Sequence, residues 1–329
     1  MVILKVVING FGRIGRVILK IALERKINVV AINDIHGPDD AAYLLKYDSI
    51  YRTFKGRITH GKDFIKVNGH KIKVLSEMDP SKLPWKELKI DTVVESTGIF
   101  IDRKGAGKHL DAGAKKVVIT APAKDHDVTI VPGVNTNDLK KKHKLISVAS
   151  CTTNCLAPVV KVLEDSFGIK NALMTTVHAY TNDQVMHDSF HKKTARGRAA
   201  AMNMIPTSTG ASKAVTEVLP KLNGKLEGMA VRVPIGVGSL VDLTANLKKP
   251  FSVEKVNNAF KKASEGKLKG ILEYNEDCIV SSDVIGNSNS SIFSAVYTQQ
   301  NGKSVKIFAW YDNEYGYSSR VVDVLKMLK

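Results

Sequence analysis

Ile8-Asn9-Gly10-Phe11-Gly12-Arg13-Ile14-Gly15-Arg16 continues an alternating apolar stretch that begins at Ile3, and it leads into an apolar-periodic segment through Leu23. Strand, Gly-x-Gly-x-x-Gly and helix in that order are the context in which a glycine pattern reads as a dinucleotide fingerprint. Gly10 permits the tight turn, Gly12 lets backbone approach a pyrophosphate, and Gly15 allows helix and strand to pack closely. The helix N-terminus then receives the negative charge. A second strand, Val29 to Asn33, ends at Asp34. An acidic side chain about 20 residues past the fingerprint accepts hydrogen bonds from an adenosine ribose and repels a 2′-phosphate.

Further along, apolar runs at Thr92 to Val94, Val117 to Ile119, Thr129 to Val131 and Leu145 to Ala149 are short, β-branched and separated by helix-like or turn segments. Such alternation predicts α/β structure with a Rossmann-type doubly wound parallel sheet and ligands at the carboxyl ends of its strands. Thr97-Gly98 and Thr120-Ala121-Pro122 follow two of those strands. Glycines at 56, 61 and 69 with short alternating stretches from Thr53 to Val74 predict inserted hairpins. Past Cys151 the strands become longer and alternating: Ala172 to Tyr180, Met229 to Val233, Val237 to Ala245 and Ser291 to Tyr297. They predict an α+β domain with a mixed, largely antiparallel sheet under helices such as Val253 to Glu265. The expected division is 1–150 and 151–312, with a last helix at about 313–329 rejoining the first domain. Thr181 to Asn203 is polar and fits no regular element, and long ordered loops of this kind are usually functional or form interfaces.

The 329 residues, 43% hydrophobic and 25% charged, describe a globular chain of about two domains. The N-terminus lacks the pattern of a secretory signal, since Asn9, Arg13 and Arg16 follow the apolar start closely. No apolar run reaches the length needed to span a bilayer, and the cytoplasm is the expected compartment. A net charge of +17 predicts attraction to anions, so polyanion binding follows from charge alone. With lysines dispersed and aromatics at 6%, a base-stacking platform is poorly supported, and nucleic acid is not required as a partner. Three cysteines give no disulfide framework.

Ser150-Cys151-Thr152-Thr153-Asn154-Cys155 lies between the strand at Leu145 to Ala149 and a helix-patterned segment. A sulfur at a helix N-terminus is expected to have a lowered thiol pKa, which makes Cys151 a candidate nucleophile. Free cysteines more often pack as small hydrophobes, the reading that fits Cys155 and Cys278. A Cys-x3-Cys pair without nearby histidines makes a poor zinc site, and no metal is expected. A thiol nucleophile needs a base, and His178, in the strand Thr175 to Tyr180, is the candidate.

Nearly the whole chain resembles the phosphorylating glyceraldehyde-3-phosphate dehydrogenases. The resemblance rests on Ile8 to Arg16, Ala149 to Cys155, Thr176 to Thr181, Ile205 to Ala211, Gly228 to Pro234 and Trp310 to Ser318, in family order. It implies that Cys151 attacks the aldehyde of glyceraldehyde 3-phosphate, that His178 is its base, and that inorganic phosphate releases a thioester as 1,3-bisphosphoglycerate. Two anion sites are implied, drawn from Ser150, Thr152, Thr181, Arg196, Thr209, Gly210 and Arg232. Arg13, Ile14, Asp34, Thr97, Thr120 and Asn313 are implied for NAD, with Tyr317 near the nicotinamide end, and a homotetramer is the implied assembly.

The chain departs from the family pattern at Ser189-Phe190, where strict NAD users usually carry Leu-Pro. Asp34 still argues for NAD, with NADP as a second acceptor left open. Ile235 stands in place of a common threonine, and Asn289 in place of a histidine. The alternatives to the glycolytic and gluconeogenic enzyme are a dehydrogenase of erythrose 4-phosphate and a basic polyanion-binding role on the same scaffold.

Overall fold

A computed structural model describes residues 4–328. The chain divides into two units. The first runs to Ile130 and includes Asn137–Ala149 and the stretch from Ser318; the second comprises Val131–Thr136 and Ser150–Tyr317.

In the first unit the fingerprint forms β1 (Lys5–Asn9) and α1 (Arg13–Glu24), followed by β2 (Asn28–Asn33) and α2 (Pro38–Lys46). Next come β3 (Ile58–Gly61), β4 (Phe64–Val67) and β5 (His70–Leu75), then α3 (Trp85–Leu88), β6 (Thr92–Glu95), α4 (Arg103–Asp111), β7 (Lys116–Ile119), β8 (Val128–Thr129) and β9 (Leu145–Ser147). The sheet order is β3-β4-β5-β2-β1-β6-β7-β9-β8, parallel from β5 to β8, with β3, β4 and β5 joined antiparallel. Central parallel strands are covered on both faces, which is why β6 is buried along its whole length. α1 turns Val17, Ile18, Ile21 and Ala22 onto the sheet. On the sheet's other residues Trp85 packs with Val93, Ala106, Val117 and Leu145, its ring fully buried. That burial is worth about 3 kcal/mol. The strands expected at Thr129 to Val131 and Leu145 to Ala149 are shorter, ending at Thr129 and Ser147.

Glycine has a required role at two fingerprint positions. Gly10 has φ +90°, and a Cβ there would lie 2.6 Å from Thr97 N. A Cβ on Gly15 would meet the Gly10 carbonyl oxygen at 2.2 Å, so α1 lies too close to the β1 turn for any other residue.

The second unit opens with α5 (Cys151–Phe167) and β10 (Ile169–Ala179), then β11 (Ile205–Ser208), α6 (Ala211–Val218), β12 (Leu226–Val233), β13 (Ser239–Leu247) and α7 (Val253–Glu265). β14 (Leu272–Asn275), β15 (Ser291–Asn301) and β16 (Ser304–Tyr311) follow, and α8 (Tyr315–Met327) starts in this unit and from Ser318 belongs to the first. The sheet order is β11-β12-β10-β13-β16-β15-β14. β10 runs parallel to β12 and β14 to β15, while the other pairs are antiparallel. The mixed, largely antiparallel sheet is therefore present. α7 keeps its expected bounds because Ser252 caps it, accepting from Lys255 N at 3.2 Å, and Gly266 ends it. Its Phe260 stacks on Phe293 of β15 at 3.9 Å between centroids. Thr181 to Asn203 holds one short helical turn, Thr194–Gly197.

Candidate active site

Ala149, just before α5, has φ +53°, a left-handed conformation that costs a non-glycine residue about 1 kcal/mol. Ser150 caps that helix, its hydroxyl accepting from Thr153 N at 3.1 Å. Cys151 is thereby the first helical residue, and its sulfur lies 3.3 Å from His178 Nε2. His178 sits near the end of β10, where its Nδ1 is 2.6 Å from the Ala179 carbonyl. With Nδ1–H donating there, the Nε2 lone pair faces the sulfur. Arg232 is His178's register partner on β12. Its Nη1 donates to Ala179 O at 3.0 Å and Thr181 Oγ1 at 3.3 Å, which brings it to 3.1 Å from His178 Nδ1.

Burial pushes the Cys151 thiol up, against the downward pull of Arg232 and of hydrogen bonds from Thr152. This corrects the expectation of a lowered thiol: taking a lone thiolate out of water outweighs Arg232 and these hydrogen bonds. Burial also pushes His178 down to about 3, with Arg232 and Arg196 adding repulsion. Both penalties fall on isolated charges. Proton transfer from Sγ to Nε2 makes the two charges together, so each offsets much of the other's burial.

Of the implied anion-site residues, Arg232, Arg196 and Thr152 act on this pair. The Arg196 fork is already engaged, with Nε on Thr207 Oγ1 at 3.0 Å, Nη2 on Ser208 O at 3.2 Å and Nη1 on the Asp183 carboxylate. Thr209 Oγ1 accepts from Ala211 N, and Gly210 precedes the first turn of α6, a setting that favours anions. Thr152 acts on the sulfur, while its hydroxyl pairs with Tyr311 OH at 2.8 Å. Tyr311 also meets Thr176 Oγ1 at 2.8 Å and presents its ring edge-on to His178, 6.0 Å between centroids. Sequence reasoning gave Tyr311 no role, although it lies within one of the quoted motifs. Cys155 is fully buried and its thiol is raised by that burial, as a packing cysteine should be.

The first unit holds a crevice of about 410 Å³ at the carboxyl ends of β1, β2 and β6. Gly10, Gly12, Asp34 and Thr97 all line it. A Cβ on Gly12 would meet nothing within 4 Å, which leaves room for a ligand against the backbone. No side chain caps α1 and no acidic residue stands in its first turn, an arrangement suited to a diphosphate. Asp34 accepts from Phe11 N at 2.6 Å and from His36. Burial works against its charge, yet these bonds hold it below the ordinary carboxylate range. Ile35, Met78 and Ile99 expose apolar surface at the crevice, as a site for a flat base should. Arg13, by contrast, turns its side chain to Asp48 at 3.0 Å and over the Tyr51 ring, and neither it nor Ile14 is among the residues lining the crevice. Thr120 donates to the Glu95 carbonyl at 3.1 Å. Asn313 and Tyr317 belong to the second unit, where both are buried and Asn313 Oδ1 accepts from Ser239 Oγ at 2.9 Å. The donor set, glycine turn and acidic strand end fit NAD.

Residues 4–103 match the family described as glyceraldehyde 3-phosphate dehydrogenase, NAD binding domain, and residues 150–313 match its C-terminal domain. The chain is 56% identical over 328 residues to glyceraldehyde-3-phosphate dehydrogenase of Thermotoga maritima, covering 98% of both chains. It is 54% identical over 334 residues to that of Borreliella burgdorferi, covering 99% of both. To that of Geobacillus stearothermophilus it is 54% identical, over 97% of this chain and 96% of the relative. A thiol facing an imidazole, a dinucleotide crevice and end-to-end similarity agree that this chain belongs to the glyceraldehyde-3-phosphate dehydrogenase family.

Proposed function

We propose that the chain oxidises glyceraldehyde 3-phosphate to 1,3-bisphosphoglycerate with NAD and inorganic phosphate, using Cys151 as nucleophile and His178 as base. The observation that carries this reading is the 3.3 Å approach of Cys151 Sγ to His178 Nε2 in a chain of this family. Sγ bonds to the aldehyde carbon while its proton passes through Nε2 to the carbonyl oxygen, giving a thiohemiacetal. His178 then takes the hydroxyl proton as the carbon gives up its hydride, and a thioester remains. NAD, when bound, supplies the hydride acceptor. Its proposed contacts are Gly10, Gly12, Gly15, Asp34 and Thr97, the backbone of Arg13 and Ile14, and Thr120, Asn313 and Tyr317. Inorganic phosphate attacks the acyl carbon, Sγ leaves, and the acyl phosphate departs.

Two anions enter this reaction, the substrate phosphate and the attacking phosphate. Arg232 with Thr181, and Arg196 with Ser150, Thr209 and Gly210, are assigned to them, arginine forks being suited to bidentate phosphate binding. An anion at Arg196 displaces Asp183. Each bound anion also relieves the repulsion that Arg232 and Arg196 impose on a protonated His178. Substrate binding and base strength are thereby linked.

The relatives' shared name favours this activity over oxidation of erythrose 4-phosphate or a role in polyanion binding alone. NAD is the preferred coenzyme, and NADP serves as a weaker second one because Ser189-Phe190 replaces the usual pair. A homotetramer in the cytoplasm is the proposed form. Supporting the assembly, Met186, Phe190, Met202 and Met204 are exposed large apolar residues within or beside the long loop. Among the described residues no helix is long and apolar enough to cross a membrane.

The test is NADH formation from glyceraldehyde 3-phosphate, with and without inorganic phosphate, in wild type and Cys151→Ser. Phosphate-dependent turnover that vanishes in the variant supports the thioester route. Failure of the wild type to turn over with either coenzyme refutes it.

A further inference from the structure

Beneath the crevice of the first unit, β6 ends in Glu95, whose side chain is fully buried. Its Oε2 lies 3.0 Å from His109 Nε2 and 2.6 Å from Asn9 Nδ2, while Oε1 receives Thr97 N at 2.8 Å and the Thr97 hydroxyl. The orientation of each donor is fixed by a group that has no alternative. The Trp85 indole N–H, which only donates, bonds to His109 Nδ1 at 2.9 Å. His109 must therefore carry its proton on Nε2 and give it to Glu95.

The amide side is fixed in the same way. Asn33 Oδ1 accepts from Glu77 N at 2.9 Å and its Nδ2 donates to Glu77 O at 2.9 Å, so the peptide backbone sets this amide. The same Nδ2 donates to Asn9 Oδ1 at 2.7 Å, which leaves Asn9 Nδ2 to donate to Glu95. Thr97 Oγ1 accepts from Ile99 N at 3.0 Å, so its proton too is directed at Glu95. Position 95 must accept on both oxygens from all of these donors, and only a carboxylate does so. Glutamine would set an NH2 against donors that cannot turn round, leaving buried polar groups unpaired.

Asn9, Asn33, Glu77 and Thr97, the groups held by this network, all line the crevice. We propose that Glu95 is a positioning residue for coenzyme binding: a buried carboxylate, oriented from the core by Trp85 and His109, that locks the Thr97 loop and the Asn9–Asn33 floor in the shape NAD requires. This rests on reading the crevice as the NAD site.

The test measures NAD binding by calorimetry, alongside steady-state kinetics, on the full chain. Glu95→Gln is expected to weaken NAD binding about tenfold, with the KM for aldehyde and kcat at saturating NAD within about twofold of wild type. Trp85→Phe in the Glu95→Gln background frees His109 Nδ1 to carry the proton, so that Nε2 accepts from the new amide, and NAD affinity is partly restored. His109 offers a second route if position 95 does not tolerate change. His109→Gln can accept from Trp85 and donate to Glu95, and is expected to keep NAD affinity where His109→Phe loses about tenfold. Wild-type affinity in Glu95→Gln, no recovery in the double variant, or equal losses in the two His109 variants would overturn the proposal. Absence of NAD binding in the wild type would instead refute the crevice assignment.

Discussion

Cys151 Sγ and His178 Nε2 stand 3.3 Å apart, and the opposite ring nitrogen of His178 is held on the Ala179 carbonyl at 2.6 Å. The ring is thus fixed with its lone pair toward the sulfur. Without the imidazole, only Arg232 and the Thr152 hydrogen bonds pull against the burial that raises the Cys151 thiol, and burial prevails. His178→Asn is therefore expected to slow alkylation of Cys151 by iodoacetamide near neutral pH by tenfold or more, with reactivity returning only in strong alkali. Turnover should fall by about 10²- to 10⁴-fold, as for loss of a general base. Alkylation of the variant at the wild-type rate near neutral pH would show that the helix terminus suffices after all.

Arg196 Nη1 holds the Asp183 carboxylate, so an anion bound there as proposed has to compete with it. Burial raises the cost of that carboxylate's charge, but Arg196 and His191 hold Asp183 below its usual range, so the pair is pre-formed and competes with phosphate. Arg196→Lys keeps the charge and loses the fork. The expected result is a rise of about tenfold in the apparent KM for phosphate or aldehyde with the KM for NAD unchanged. A change confined to NAD would remove Arg196 from the anion site.

The parts of this arrangement that were legible in the sequence are those encoded locally. Gly10, Gly12 and Gly15 need no tertiary knowledge, because a positive φ and contact with backbone exclude other residues whatever lies around them. α7 is equally local, bounded by a serine cap and a glycine. The Gly302-Lys303 turn and the alternation of β16 were just as local, yet the sequence reading passed over that strand, which carries Tyr311. The pairing of His178 with Arg232 lies across a parallel register between strands 54 residues apart and has no local signal. The same holds for the thiol: its place at a helix start was readable, but the extent of burial that reverses its shift depends on the packed unit.

Asp34 marks the end of β2, where Phe11 N and His36 keep it charged. That charge is the sequence feature standing against a 2′-phosphate, since Ser189-Phe190 has replaced the other. Asp34→Ala should raise kcat/KM for NADP by about tenfold and lower it for NAD by a similar factor, through loss of repulsion and of a ribose acceptor respectively. An unchanged ratio of the two efficiencies would move coenzyme selection elsewhere.

Asp127 ties the chain before β8 to Arg103 at 2.5 Å and to the Lys144 and Leu145 amides at 2.6 and 3.0 Å. Burial opposes its charge, but the Arg103 bond and these amides prevail and bring its pKa down to about 2. The folded value lies below the unfolded one, so the stabilisation is present above about pH 4 and is lost as pH falls through about 2. Arg103 is half exposed, and solvent screening reduces the contribution to about 1 kcal/mol. Asp127→Asn should therefore lower the urea midpoint near neutral pH, and the gap from wild type should close on acidification toward about pH 2. A gap independent of pH would mean that Asp127 acts through the shape of its hydrogen bonds and not through its charge.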